Sequence, residues 1–418
     1  MSAGAIQLDL FPHVTDAFLA APEGQSLTTR EIYDQVAQSA GLDEAVTGRR
    51  VPVGESGQQH NLYQRDVRWK IQTLKHMGLV ERDPAQRGAW RVAVRTKTGL
   101  HEAIDTTRLV AFSTHLGVAI WGKCEHVLAG LGQQITAVIT SPPYPLRKSR
   151  AYGGPSDEAT YIDFICRAME PLIKHLAPGG SLAINLGNDV FEQGLPSRSL
   201  YAERLLLMLC DRFGLHRMDT LIWSNPSKPP GPVRWASMAR VQLNVGYEPI
   251  YWLTNDPTKV KSDNRRVLEA HTQQHQQLMG QGGERRYQSY SDGAYRIHPG
   301  RFGQRTAGRI PTNVLVRGHT CADSNQYRAD ARALGLPVHG AGQPIAIPEF
   351  LTRFLSDVGD LIVDPFGGTA TTGMAAERNG RRWLVVEAML DYLRAGAERF
   401  RPFPGFHLGI SDLPRRAA

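Results

Sequence analysis

"DLIVDPFGGTATTG", residues 360–373, begins as a strand and ends as a helix. Leu361, Ile362 and Val363 form a short apolar run, and Thr371 onward suits the first turn of a helix. Gly367 and Gly368 stand between them. Two glycines permit a tight turn and let a ligand approach the backbone closely. In open α/β folds, ligands sit at the carboxyl ends of strands, where this turn lies. The next strand, "RRWLVV" (381–386), ends in Glu387. An acidic residue about twenty positions past the loop suits ribose hydroxyls. The pattern is not G-x-G-x-x-G, and no phosphate-binding lysine follows. The expected ligand is therefore a nucleoside without a pyrophosphate.

A second strand carries an unusual tip. "TSPPYPL" (140–146) follows the apolar run Ile135–Ile139. Proline donates nothing to a sheet, so the strand must stop there. Two successive prolines fix the directions of the carbonyls, and Tyr144 is expected to be exposed beside them. Such a rigid, acceptor-rich tip suits a flat ligand bearing an amine.

Outward from these two stretches, strands and helices alternate. Helix signals cover 161–176, 202–214 and 347–358. Strand signals cover 135–140, 181–187, 217–225 and 247–255. "APGG" (177–180) reads as a helix stop. The alternation implies a doubly wound α/β sheet. Between 259 and 317 this regularity vanishes. That insertion holds eleven Lys/Arg against four acidic residues, a net +7. Arg and Tyr interleaved with Gly suit phosphate and base contacts, among them Arg285, Arg286 and Arg301. His271 and His275 have i,i+4 spacing but no third ligand, so no metal site is expected.

The chain has 418 residues, 41% hydrophobic and 21% charged, enough for two or three domains with a sizeable core. Its net charge of +8 suits a polyanionic partner such as DNA. No apolar stretch reaches the ~20 residues that span a bilayer, so no membrane is expected. The N-terminal residues show no secretion signal. Cys124, Cys166, Cys210 and Cys321 lie far apart, against a disulfide framework or a Cys-x-x-Cys zinc site. A cytoplasmic location is expected.

The first hundred residues form a separate unit. "LTTREIYDQVAQSAG" (27–41) reads as a helix capped by Thr28 or Thr29. A polar, Gly-rich segment (43–61) reads as a loop. "QRDVRWKIQTLKHMGLV" (64–80) reads as a helix with Val67, Ile71, Leu74 and Met77 on its apolar face, ended by Gly78. Arg65, Arg68, Lys70 and Lys75 lie on its other faces. "LVERDPAQRGAWRVAV" (79–94) reads as a hairpin. Helix, basic helix and hairpin in this order resemble a winged helix-turn-helix over roughly residues 8 to 95, with Arg65, Arg68 and Lys70 as DNA contacts. The competing reading is a small helical cap whose charges serve solubility.

Taken together, "SPPY" and "DPFGGTATTG" resemble the amino-methylating DNA methyltransferases that use S-adenosylmethionine. In that family [DNS]-P-P-[YF] holds the target amine and D-P-F-x-G-x-G-T-T forms the cofactor loop. The catalytic motif precedes the cofactor motif, as in the family's β group, whose target-recognition region lies between them. "HGAGQPIAIPEF" (339–350) resembles the family's H-P-A-x-x-P segment. The likeness covers roughly 117 to 395. It implies catalytic roles for Ser141, Pro142, Pro143 and Tyr144. It implies a cofactor site lined by Asp364, Pro365, Phe366, Gly367, Gly368, Thr371 and Glu387. Four units are expected: a DNA-binding domain (1–98), a catalytic part (99–258), a target-recognition insertion (259–317) and a cofactor-binding part (318–418).

Two departures stand out. Ala370 occupies the loop's last glycine position, and Gly340 replaces a proline. The serine at 141 implies, by resemblance alone, cytosine-N4 as target and a place in restriction-modification or related defence, beside a cognate endonuclease. Adenine-N6 is the first alternative, since both bases present an exocyclic amine beside a ring-nitrogen acceptor. A DNA-binding regulator with a disabled methyltransferase fold is the second.

Overall fold

The computed structural model describes residues 11–22, 25–53, 58–76, 80–92, 102–103, 105, 107–145 and 154–409. Met77, Gly78, Leu146 and the hairpin end beyond Val92 lie outside these.

The N-terminal unit runs α1 (Phe11–Ala20), β1 (Leu27–Thr28), α2 (Thr29–Ser39), α3 (Glu44–Thr47), β2 (Arg50–Val53), β3 (Gln58–Asn61), α4 (Leu62–His76), β4 (Val80–Arg82) and β5 (Ala89–Val92). Thr28 starts α2 with a capping box: its side chain accepts from Glu31 N at 3.2 Å, and Glu31 accepts from Thr28 N at 2.7 Å. Ile32 and Val36 of α2 are buried, as are Val67, Ile71 and Leu74 of α4. These spacings put each set on one helical face. β1, β5 and β4 form one antiparallel sheet in that order. Helices α1, α2 and α4, packed on one another beside this small sheet, give the winged-helix arrangement. The loop expected over 43–61 is instead α3 followed by the β2–β3 hairpin. Asp43 caps α3 by accepting from Val46 N, and Asn61 ties the hairpin to Thr47 O at 2.7 Å. The polar side chains there serve as caps and clasps, which is why composition alone read as loop.

The second unit runs β6 (Arg108–Ser113), β7 (Gly117–Gly122), α5 (Cys124–Val127), β8 (Ile135–Thr140), α6 (Glu158–Lys174), β9 (Leu176–Asn185), α7 (Tyr201–Phe213), β10 (His216–Ser224), β11 (Tyr247–Thr254), α8 (Gln273–Gly280), β12 (Gln288–Tyr290), β13 (Tyr295–Ile297), β14 (Val314–Val316), α9 (Ala322–Ala333), α10 (Ala346–Leu355), β15 (Leu361–Asp364), α11 (Thr371–Arg378), β16 (Arg382–Glu387), α12 (Leu390–Ala397) and β17 (His407–Leu408). Its ten-stranded sheet has the order β14-β10-β11-β9-β8-β15-β16-β7-β6-β17. The centre, from β9 through β7, is parallel, and both flanks carry antiparallel strands. At one flank β17 closes onto β6, pairing His407 with Ser113.

All six residues of β8 are buried, as a central strand covered on both faces requires. Val138 packs in one core with Ile165 and Met169 of α6 and Leu205 of α7. Ala137 and Ile139 point into the other, with Leu351 of α10, Met374 of α11 and Leu393 of α12. β9 begins earlier than expected, at Leu176, and runs through the Pro-Gly-Gly that stops α6. Gly179 allows this: a Cβ there would meet Lys259 O at 1.9 Å. The segment 259–317 is less irregular than its composition implies. It contains α8, the β12–β13 hairpin and β14, which rejoins the main sheet beside β10. His271 and His275 lie with ring centroids 4.8 Å apart, and His271 Nε2 pairs with Thr306 Oγ1 at 3.0 Å, bracing this segment.

Candidate active site

β8 and β15 are parallel neighbours. Their carboxyl tips carry the two motifs that lie more than two hundred residues apart in the chain. A buried hydrogen bond joins them: Thr140 Oγ1 donates to Asp364 Oδ1 at 2.7 Å. The same oxygen accepts from Phe366 N at 3.1 Å. Burial pushes the Asp364 carboxyl up to about 6, and these hydrogen bonds pull against it. Asp364 thus spends its hydrogen bonds on holding the loop to the neighbouring strand.

After Thr140 the chain turns through Ser141-Pro142-Pro143-Tyr144. Tyr144 is not exposed, contrary to expectation. Its ring lies against Gly187, where a Cβ would come within 2.5 Å of Tyr144 Cδ2. Its hydroxyl donates to Glu248 Oε2 at 3.0 Å and stands 3.3 Å from Ser141 Oγ. Glu248 Oε1 pairs with Lys228 Nζ at 3.0 Å. Beside them, Asn185 Nδ2 at the tip of β9 donates to Pro249 O at 3.0 Å. Asn185 Oδ1 accepts from Gln343 Nε2 at 3.3 Å. The antiparallel run of β11 against β9 brings its first residues, Glu248 among them, to the same end of the sheet as the tip of β8. Glu248, Lys228 and Asn185 carry no local signal in the sequence, and only the strand order brings them here.

The cofactor-type loop is built on close packing. A Cβ on Gly367 would fall 2.0 Å from Val385 Cγ1, so this glycine lets the loop approach the neighbouring strand closely. Gly368 takes φ +52°, and a Cβ there would meet His339 no closer than 3.6 Å, in ordinary contact. Gly368 N donates to Glu387 Oε2 at 2.7 Å, and Met389 N to Glu387 Oε1 at 2.8 Å. Burial pushes the Glu387 carboxyl up to about 7. Phe366 is half-buried with its ring centroid 5.7 Å from that of Phe164. Pro365 is buried, and Thr371 opens α11 with its hydroxyl 3.0 Å from that of Thr369. Ala370 is fully buried with φ 61° and ψ 33°, so the loop adopts a glycine-like turn without the glycine. His339 stacks edge-on against Tyr392 at 4.5 Å, and its N–H donates to Tyr327 Oη at 2.9 Å. His339 therefore stands beside the Gly368 turn.

The basic candidates lie elsewhere. Arg65 and Arg68 are exposed on α4 and Lys70 is half-buried; Trp69 beside them is 71% exposed. Arg285, Arg286 and Arg301 are exposed on the insertion. Among the described residues no cluster of His, Cys, Asp and Glu has the makings of a metal site. No described helix is long and apolar enough to cross a membrane.

A family model described as a DNA methylase matches residues 135–398. One described as the Mrr N-terminal domain matches residues 14–102. The Type II methyltransferase M.PvuII of Proteus hauseri is 30% identical over 291 residues, covering 69% of this chain and 85% of that protein. The Type II methyltransferase M.ScaI of Streptomyces caespitosus is 23% identical over 274 residues, covering 65% and 77%. Among solved structures, the PvuII DNA methyltransferase, named as cytosine-N4-specific, aligns with a TM-score of 0.55 at 28% identity, covering 70% of this chain and 89% of that one. With the two motifs joined at the tips of adjacent strands and the family model matching well over half the residues, the chain belongs to the N6/N4 DNA methylase family.

Proposed function

We propose that this protein methylates the exocyclic N4 amine of cytosine at a specific sequence in double-stranded DNA, with S-adenosylmethionine as the methyl donor. The observation that carries the reading is the Thr140–Asp364 hydrogen bond, which sets an amine-holding tip directly beside a nucleoside-type loop. The residues fit the donor. The Glu387 carboxyl at the strand end suits ribose hydroxyls, the half-buried Phe366 ring offers a face to a base, and Gly368 holds its left-handed turn beside them. S-adenosylmethionine, held by these residues, would supply an electrophilic sulfonium methyl group to the amine, with its thioether as the leaving group and the surplus amine proton passing to solvent.

The protein's own part is acceptance and positioning. An exocyclic amine is a weak nucleophile because its lone pair is delocalised into the ring. The Ser141 hydroxyl and the Pro142 carbonyl accept its two N–H groups and favour a tetrahedral nitrogen with a free lone pair. Pro143 keeps that carbonyl aimed, and the Tyr144 ring stacks on the base. The base leaves the duplex to arrive there. The N-terminal unit (1–98) supplies phosphate contacts through Arg65, Arg68 and Lys70. The insertion (259–317) reads sequence with Arg285, Arg286 and Arg301, and the parts 99–258 and 318–418 hold the two halves of the chemistry. The setting is cytoplasmic restriction-modification or related defence, beside an endonuclease acting on the same sites.

The choice of cytosine is supported by the serine at 141 and by the specificity named for the PvuII enzyme. Digestion of methylated DNA to nucleosides followed by mass spectrometry tests it. N4-methylcytosine is expected; N6-methyladenine in its place overturns the base assignment. Absence of both, with S-adenosylmethionine failing to bind, favours the DNA-binding regulator.

A further inference from the structure

A serine hydroxyl is an ambiguous partner for an amine. It can accept from an N–H, which helps the reaction, or donate to the nitrogen. Donation would occupy the lone pair that must attack. A free hydroxyl rotates between these options. Something at this site has to choose between them.

The hydrogen count makes the choice. The Tyr144 hydroxyl lies 3.0 Å from Glu248 Oε2 and 3.3 Å from Ser141 Oγ. A phenol carries one hydrogen, and a carboxylate only accepts, so Tyr144 donates to Glu248. Towards Ser141 the Tyr144 oxygen is then an acceptor. Ser141 must donate its own hydrogen to Tyr144, and its lone pairs are left for an incoming N–H. Burial and the neighbouring Glu248 carboxylate push the Tyr144 hydroxyl well above the usual phenol range, so it keeps its hydrogen. Glu248 is held from the far side by Lys228, 3.0 Å away, with side-chain exposures of 18% and 20%. The ring of Tyr144 is held separately, against Gly187.

We propose that Glu248, acting through the Tyr144 hydroxyl, fixes the Ser141 hydroxyl as a hydrogen-bond acceptor for the target amine. Glu248 is thus a positioning residue, and Lys228 positions Glu248. The proposal rests on the reading of Ser141 as the residue that holds the amine. It explains how a neutral serine serves at a place where an aspartate would be an acceptor by nature: the carboxylate is present two hydrogen bonds away, on β11.

The test is a set of single-turnover methylation rates on the full chain, with cofactor and DNA affinities measured alongside. Tyr144→Phe keeps the ring and removes the relay. Glu248→Gln keeps the shape and removes the obligatory acceptor. Each is expected to slow methyl transfer about ten-fold or more while binding changes less than about two-fold. Because they act along one chain, the double variant is expected to be no slower than the slower single one. In a Ser141→Ala background, Tyr144→Phe is expected to add nothing. A wild-type rate for Tyr144→Phe, or effects that multiply in the double variant, overturns the relay. A wild-type rate for Ser141→Ala overturns the site reading itself, and with it the relay.

Discussion

At position 370 an alanine holds φ 61° and ψ 33° with none of its surface exposed. A non-glycine residue in this left-handed region costs about 1–2 kcal/mol. Glycine would relieve that strain but loses more freedom on folding, by roughly 0.5–1 kcal/mol. Ala370→Gly is therefore expected to be neutral to stabilising by up to about 1 kcal/mol, and Ala370→Val destabilising, both read from urea unfolding. The buried carboxylates give a second expectation. Asp364 and Glu387 are raised from 3.8 and 4.5 to about 6 and about 7. Because the folded values lie above the unfolded ones, their contribution to stability is complete below about 4 and is lost as pH rises through 6 and 7. For Glu387 the loss is roughly 3 kcal/mol. Calorimetric Tm without cofactor is expected to fall between pH 5 and 8.5, and Glu387→Gln to fall less steeply. An equal slope in the variant would remove Glu387 from the account. The acidic strand end was legible from sequence; its burial was not, since that depends on the Gly368 turn and the Met389 backbone closing on its carboxyl.

Elements pack here by omission of side chains as much as by their presence. The loop after β15 meets β16 at Gly367, where a methyl group would sit 2.0 Å from Val385 Cγ1. Gly367→Ala is expected to cost about 1–3 kcal/mol. Val385→Ala should recover part of this, so that denaturant midpoints of the double variant show less than additive loss. Strict additivity would mean that the loop relaxes elsewhere. The elements best read from sequence were those with a local signature. β8 is an unbroken apolar run stopped by proline, α2 has a capping threonine, and β15 leads into paired glycines. The β2–β3 hairpin went unread because "RVPV" and "QQHN" lack alternation and carry a proline. Glu248 went unread because "YEPIYWLT" looks like any buried strand; its meaning comes from a register set by β9 and β10. α9 and α12 also escaped, and the His339–Tyr327 and His339–Tyr392 contacts with them.

At the scale of the whole molecule, positive charge is divided between α4 and the insertion. Phosphate contacts give a salt dependence of about 0.9 in log–log slope per contact and carry no sequence information. Replacing Arg65, Arg68 and Lys70 together by alanine is expected to weaken DNA binding and flatten that slope, while sequencing of the methylated positions shows the same site. Alanine at Arg285, Arg286 and Arg301 is expected to relax or abolish site choice. A changed or shortened site in the α4 variant would make the winged helix a reader of bases. The pairing of β17 with β6 bears on the larger design. His407 faces Ser113 and Gly409 N reaches Ala111 O at 3.0 Å, so the catalytic unit departs from the sheet beside the place where it enters. Its connectivity is nearly a ring, and the chemistry depends on which strands are neighbours, not on which is synthesised first. A circular permutant that links residue 409 back to 107 and opens within the insertion should therefore keep Thr140 bonded to Asp364. The order of the two motifs along the gene is in that sense a matter of where the ring was cut.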